Sequence, residues 1–162
     1  CSVAVQPGGI HEQVHTDHLE EKVFFPSRLG FIRLAIEAGV PLLPAYVFGE
    51  NQLFHTSNWT RNVNKWFYEK FKVGNLLVHG RLGLINSPVI PNPLLLPNPN
   101  RELHIKWGEA VPVGPPDPEP TDAKVKEVFD LYCASLQKLF DEHKYDCLPK
   151  EVADKGLRIV LR

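Results

Sequence analysis

The chain has 162 residues, 43% hydrophobic and 10% aromatic, with a net charge of -1 at pH 7. That is one domain with a sizeable core, not a disordered segment, and the charge argues against a phosphate-backbone footprint and so against a nucleic-acid partner. Three cysteines without motif spacing argue against a disulfide framework and fit a reducing compartment. There is no methionine, and the chain opens at Cys1 without a charged leader. It therefore reads as a piece of a longer polypeptide.

Ser2 to Gln6 predicts a short strand stopped by Pro7-Gly8-Gly9. His11 to Lys22 is polar and histidine-rich. Ser27 is placed to cap a helix whose apolar face is Phe31, Leu34, Ala35 and Ala38, ended by Gly39 and Pro41. Leu42 to Phe48 predicts a buried strand, with Pro44 near an end or a bulge. Ser57 or Asn58 caps a second helix with the face Trp59, Val63, Trp66, Phe67 and Phe71, stopped by Gly74. Leu76 to His79 and Leu103 to Trp107 are strand-like. Between them, the uncharged run Leu82 to Asn100 holds too many prolines for a spanning helix; it reads as an extended loop or a segment lying on lipid. Pro112 to Pro120 has five prolines in nine positions and is a stiff connector. A last helix starts near Thr121-Asp122, with Val125, Val128, Phe129, Tyr132, Leu136, Leu139 and Phe140 on one face and Pro149 as its bound. Strands alternating with helices predict an α/β domain with a central sheet flanked by helices. Residues 1–149 form the domain and 150–162 a C-terminal tail.

His11-Glu12-Gln13-Val14-His15 is a literal H-E-x-x-H. On a helix it would put two imidazoles on one face, with Glu12 as base toward a zinc-bound water and His18 as a third ligand. That makes a zinc metallopeptidase the alternative reading. The entry through Pro7-Gly8-Gly9 is poor for it, and His18 stands where the longer zinc-protease motif needs glycine. No metal is expected. A non-catalytic lipid-binding module is the third reading.

The leading reading comes from blocks spread along the chain: Pro7-Gly8-Gly9-Ile10-His11-Glu12, Arg28-Leu29-Gly30-Phe31 through Pro44, and Tyr46-Val47-Phe48-Gly49-Glu50-Asn51. Gly108-Glu109-Ala110-Val111-Pro112-Val113 and Leu139-Phe140-Asp141-Glu142-His143-Lys144 follow. In this order they resemble the C-terminal half of the type 2 diacylglycerol acyltransferase family, with its monoacylglycerol and wax-alcohol acyltransferases. The resemblance runs from Val3 to about Pro149. It implies the C-terminal part of a glycerolipid-acyltransferase-like domain. The implied reaction is transfer of a fatty acyl group from acyl-CoA to an acylglycerol or fatty alcohol, with diacylglycerol giving triacylglycerol as the leading case. Acyl-CoA is then a co-substrate and no cofactor is implied. The implied setting is a lipid membrane surface, the cytosolic face of the endoplasmic reticulum or a lipid droplet.

By the same resemblance Glu12 is the supporting catalytic carboxylate. Gly8 and Gly9 offer bare backbone N–H groups to the substrate, and Glu50 and Asn51 sit at a strand end where α/β sites form. Arg28 and Arg33 would take coenzyme A phosphates. The family's histidine lies in a His-Pro-His-Gly tetrapeptide; none of the seven histidines here is followed by Pro-His-Gly, so that block is expected upstream of Cys1. Lys106 and Trp107 replace part of the family's usual valine run.

Overall fold

In chain order the elements are α1 (Gly9–His15), β1 (Glu21–Phe25), α2 (Gly30–Ala38), β2 (Ala45–Phe48), α3 (Glu50–Leu53) and α4 (Asn58–Phe71). Then come β3 (Val78–His79), a 3-10 turn (Arg81–Gly83), β4 (Ile85–Asn86), β5 (His104–Trp107), α5 (Asp122–Cys147), α6 (Lys150–Ala153) and β6 (Leu157–Leu161). This computed structural model describes residues 2–74, 76–87, 92, 95–99 and 102–162. Much of the proline-rich run, and with it the expectation of a loop or lipid-lying segment there, falls outside the described residues.

The core is built on α5. Thr121 caps it, its hydroxyl accepting the Lys124 N–H at 3.3 Å, and so satisfies one of the first-turn donors. Val125, Val128, Phe129, Leu136, Leu139 and Phe140 form the buried face, as their spacing predicts. That face packs on β2. Phe140 stacks on Phe48 at 5.4 Å and meets Tyr46 edge-on at 5.3 Å, both favoured aromatic geometries. β2 begins right after Pro44, whose carbonyl accepts the Gly108 N–H at 2.9 Å.

α2 has the predicted period but a different start and face. It opens at Gly30 behind Leu29, which is left-handed at φ 46°, and it buries Ile32, Ala35 and Ile36 while Leu34 lies exposed. Ser27 does not cap it; its N–H instead donates to the Arg162 carbonyl at 2.6 Å. The stop is as expected. Gly39 is left-handed at φ 63°, and the Val40 N–H reaches back to the Ala35 carbonyl, a closure that glycine makes without strain.

The domain is mixed α/β, but the expected central sheet is replaced, among the described residues, by three strand pairs. β1 runs parallel to β6, with Glu21 opposite Leu157 and Phe25 opposite Leu161; β2 is antiparallel to β5, and β3 to β4. Alternating helices and strands do not say which strands pair. Ser2 to Gln6 is not a strand: the segment is exposed and unpaired among the described residues. Residues 150–162, read as a tail, instead carry α6 and β6, and Val152, Ala153 and Leu157 are part of the core. The β2–β5 pair is apolar on both faces: Tyr46 and Phe48 point inward, while Val47, Ile105 and Trp107 are exposed on the other side.

Candidate functional site

Glu12 lies in the first turn of α1 and folds back over Gly8. A Cβ on Gly8 would overlap the Glu12 side chain, so glycine is what leaves the carboxylate room. Glu12 Oε2 accepts the backbone N–H of Phe24 in β1 at 2.7 Å. Burial holds this carboxyl above its ordinary 4.5 and the charge of Glu50 adds to that; the Phe24 N–H, the Gln6 side chain and Arg162 pull the other way. Glu12 is thus half-buried and tied to β1.

A second carboxyl, which the sequence reading missed, is the most buried ionisable group of the site. Glu21 opens β1 and is 1% exposed. It accepts from Tyr46 Oη at 2.7 Å, Asn51 Nδ2 at 2.8 Å and Gln52 Nε2 at 2.9 Å. No cation pairs with it among the described residues, and burial raises its pKa against the pull of those three donors. Tyr46 is raised well above 10.0 by its own burial, then by the Glu21 charge and hydrogen bond. The only sequence signal for Glu21 was its place at the start of Glu-Lys-Val-Phe-Phe, a short strand inside a polar run.

Gly49 makes the arrangement possible. It turns between β2 and α3 at φ 87°, and a Cβ there would strike the Glu102 carbonyl. The turn brings Asn51 back to β1 and leaves Glu50 exposed beside it. Asn51 reaches Glu21 directly, and the charge of Glu50 is felt by Glu12, Glu21 and Tyr46. Of the predicted residues, then, Gly8, Glu12, Glu50 and Asn51 come together. Gly9 starts α1 beside them and faces open space.

The two arginines do not join this set. Arg33 Nη1 donates to the Pro120 carbonyl at 3.1 Å and its Nη2 pairs with Asp122. It is a strut from α2 to the start of α5, in place of the expected coenzyme A contact. Arg28 is exposed, and its side chain makes no hydrogen bond or ion pair among the described residues.

The H-E-x-x-H sequence does form a helix, but the contacts are wrong for a peptidase. The His11 and His15 rings stack 4.0 Å apart, and His15 Nδ1 is 2.9 Å from the His11 carbonyl. Glu12 is engaged with Phe24, and His18 packs against His55 at 5.1 Å. No group of three or more metal-ligating side chains assembles among the described residues. Burial, the neighbouring His15 and Arg162 bring His11 down to about 4.

Beside the carboxyl set lies a cleft of about 350 Å³ bordered by His18, Gln52, His55, Asn98 and Glu151. Gln52 joins the two regions, since its Nε2 donates to both Glu21 Oε1 and the His18 carbonyl. Chemically, the site offers two carboxyls with raised proton affinity, Glu12 held by a backbone N–H and Glu21 by a phenol and two amides. Carboxyls in such settings accept, donate or orient a proton.

The model of the diacylglycerol acyltransferase family matches residues 1–154. The chain belongs to this family. It is 30% identical over 152 residues to mouse diacylglycerol O-acyltransferase 2-like protein 6, covering 88% of this chain and 43% of that protein. It is 30% identical to human 2-acylglycerol O-acyltransferase 3 (90% of this chain, 42% of that protein) and 33% identical to human acyl-CoA wax alcohol acyltransferase 2 (88% and 42%). The chain thus spans less than half the length of these curated relatives. No solved structure matches it.

Proposed function

We propose that this chain serves an acyl-CoA-dependent O-acyltransferase that esterifies an acylglycerol, with diacylglycerol as acceptor and triacylglycerol as product. Acyl-CoA is the co-substrate and no resident cofactor takes part. The reaction runs at a lipid surface, on the cytosolic face of the endoplasmic reticulum or on a lipid droplet. The observation that carries this reading is the convergence of Gly8, Glu12, Glu50 and Asn51 with the buried Glu21 in a member of this family.

Acyl transfer to an alcohol needs a base for the hydroxyl, an orienting group for that base, and donors for the oxyanion. Glu12 is the positioning residue. Its carboxylate, fixed by Phe24, orients an imidazole or the acceptor hydroxyl through its second oxygen. Glu21 holds Asn51 and Tyr46 in place beneath it.

The test replaces the matched segment of full-length human 2-acylglycerol O-acyltransferase 3 with this chain. The purified chimera is given acyl-CoA with diacylglycerol, 2-monoacylglycerol or a long-chain alcohol. Triacylglycerol from diacylglycerol is the expected product. A folded chimera that esterifies none of these acceptors would overturn the proposal, and one that esterifies only the alcohol would overturn the acceptor.

A further inference from the structure

Helix α4 is turned against its own composition. Its buried side chains are Thr60 and Asn64, both 0% exposed. Asn64 acts as a clamp: its Nδ2 donates to the Leu77 carbonyl at 2.8 Å, and its Oδ1 accepts the Leu76 and Leu77 N–H groups at 3.1 and 2.9 Å. Thr60 Oγ1 donates to the Ser57 carbonyl at 3.0 Å. The aromatic face, which its spacing suggests for the core with a lipid-facing share for one of the tryptophans, instead looks outward at three rings. Trp59 is 55%, Trp66 51% and Phe71 62% exposed. Trp66, Phe67 and Phe71 touch one another, with ring centroids 5.0 to 6.0 Å apart. Trp59 and Trp66 are seven residues apart and so lie on one side of the helix.

Charge is arranged the same way. From Asn58 to Lys72 there are four cations, Arg61, Lys65, Lys70 and Lys72, and one anion, Glu69, a local charge of +3 in a chain whose total is -1. Arg61 is committed to Asp17 at 2.7 Å. Lys65, Lys70 and Lys72 make no ion pair among the described residues. No described helix is long and apolar enough to cross a membrane.

Exposed tryptophans flanked by lysines are the composition of a helix that lies in a membrane interface: the rings sit at headgroup depth, and the ammonium groups reach up to lipid phosphates. An outward face of tryptophan and phenylalanine without that charge would fit a protein partner as well. The excess of lysine selects an anionic lipid surface.

We propose that α4 is the lipid-contacting element of this chain, lying flat on an anionic bilayer with Trp59, Trp66 and Phe71 in the interface and Lys65, Lys70 and Lys72 against the headgroups. This rests on the lipid-surface setting proposed above and assigns it to one helix.

The 162-residue chain is mixed with vesicles of phosphatidylcholine alone, or of phosphatidylcholine with phosphatidylserine. Binding is read by co-flotation and by the tryptophan emission. The parent chain floats with the anionic vesicles, and its emission shifts to the blue. Lys65→Gln/Lys70→Gln weakens binding to the anionic vesicles about thirtyfold and leaves that to neutral vesicles unchanged. Trp66→Ser/Phe71→Ser abolishes both, while its circular dichroism and thermal unfolding match the parent. A parent chain that floats with neither vesicle, or an aromatic variant that floats as well as the parent, overturns the proposal. The acyl-transfer reading is judged by turnover of the chimera in detergent, so failure of either is seen without the other.

Discussion

Removing the Glu21 carboxylate is the sharpest perturbation of stability that the structure offers. It is 1% exposed and takes hydrogen bonds from Tyr46, Asn51 and Gln52. Glu21→Ala leaves the Tyr46 hydroxyl and one Asn51 N–H without their acceptor, while Gln52 keeps the His18 carbonyl. Each orphaned buried donor costs about 1–3 kcal/mol, so the loss is about 2–6 kcal/mol. That is a large part of a stability of roughly 5–15 kcal/mol. Glu21→Gln keeps one acceptor oxygen and loses about 1–3 kcal/mol. The pH dependence has a definite sign. Burial raises the folded pKa above 4.5, so between 4.5 and the raised value the folded chain keeps a proton that the unfolded chain has lost. Stability therefore falls as pH rises through that window, and Glu21→Gln flattens that part of the curve. Urea unfolding followed by circular dichroism at a series of pH values measures both effects. Asp130→Ala, which breaks the exposed pair with Lys126, is the control and stays within about 0.5 kcal/mol. A Glu21→Ala loss no larger than this control would refute the reasoning.

His11 is held near 4, so it stays neutral in the folded chain where an ordinary histidine is charged. Stability is lost as pH falls from 6.5 through about 4; His11→Gln lessens that acid loss, and an NMR titration of His11 near 6.5 would contradict it. Gly8→Ala drives Glu12 off the Phe24 N–H and costs about 1–3 kcal/mol. Because both changes strike the same contact, Gly8→Ala/Glu12→Ala is no less stable than Gly8→Ala alone, a non-additivity read from unfolding curves. Arg33→Gln in the chimera costs stability of about 1 kcal/mol or less and leaves the KM for acyl-CoA unchanged; a raised KM would return Arg33 to the substrate.

The elements legible in the sequence were those whose signal is local. α5 showed itself through its period and its Thr121 cap, the end of α2 through Gly39, and β5 through Leu103 to Trp107. β1 and β6 were missed because each is short and their pairing joins Glu21 to Leu157 across most of the chain. No local pattern records such a contact. Buried polar groups were hidden for a related reason. Glu21 is stabilised only by donors from β2 and α3, and Asn64 by the backbone of Leu76 and Leu77 just before β3, so nothing local marks either as buried. α4 was given the wrong face because apolar spacing locates a stripe but not what covers it. Glu12, Glu50 and Asn51 were found because their blocks resembled a family. Their convergence is what the structure adds.

The central claim is that Glu12 acts as a positioning group for acyl transfer and is not merely a tie to Phe24. The measurement is the pH dependence of kcat for triacylglycerol formation by the chimera and its Glu12→Gln variant. Glutamine keeps an oxygen for the Phe24 N–H, so folding is retained. The account predicts a fall in kcat of about 10²–10³, with loss of the ionisation that Glu12 contributes to the pH profile. A variant with the parent's kcat and an unchanged pH profile would contradict it.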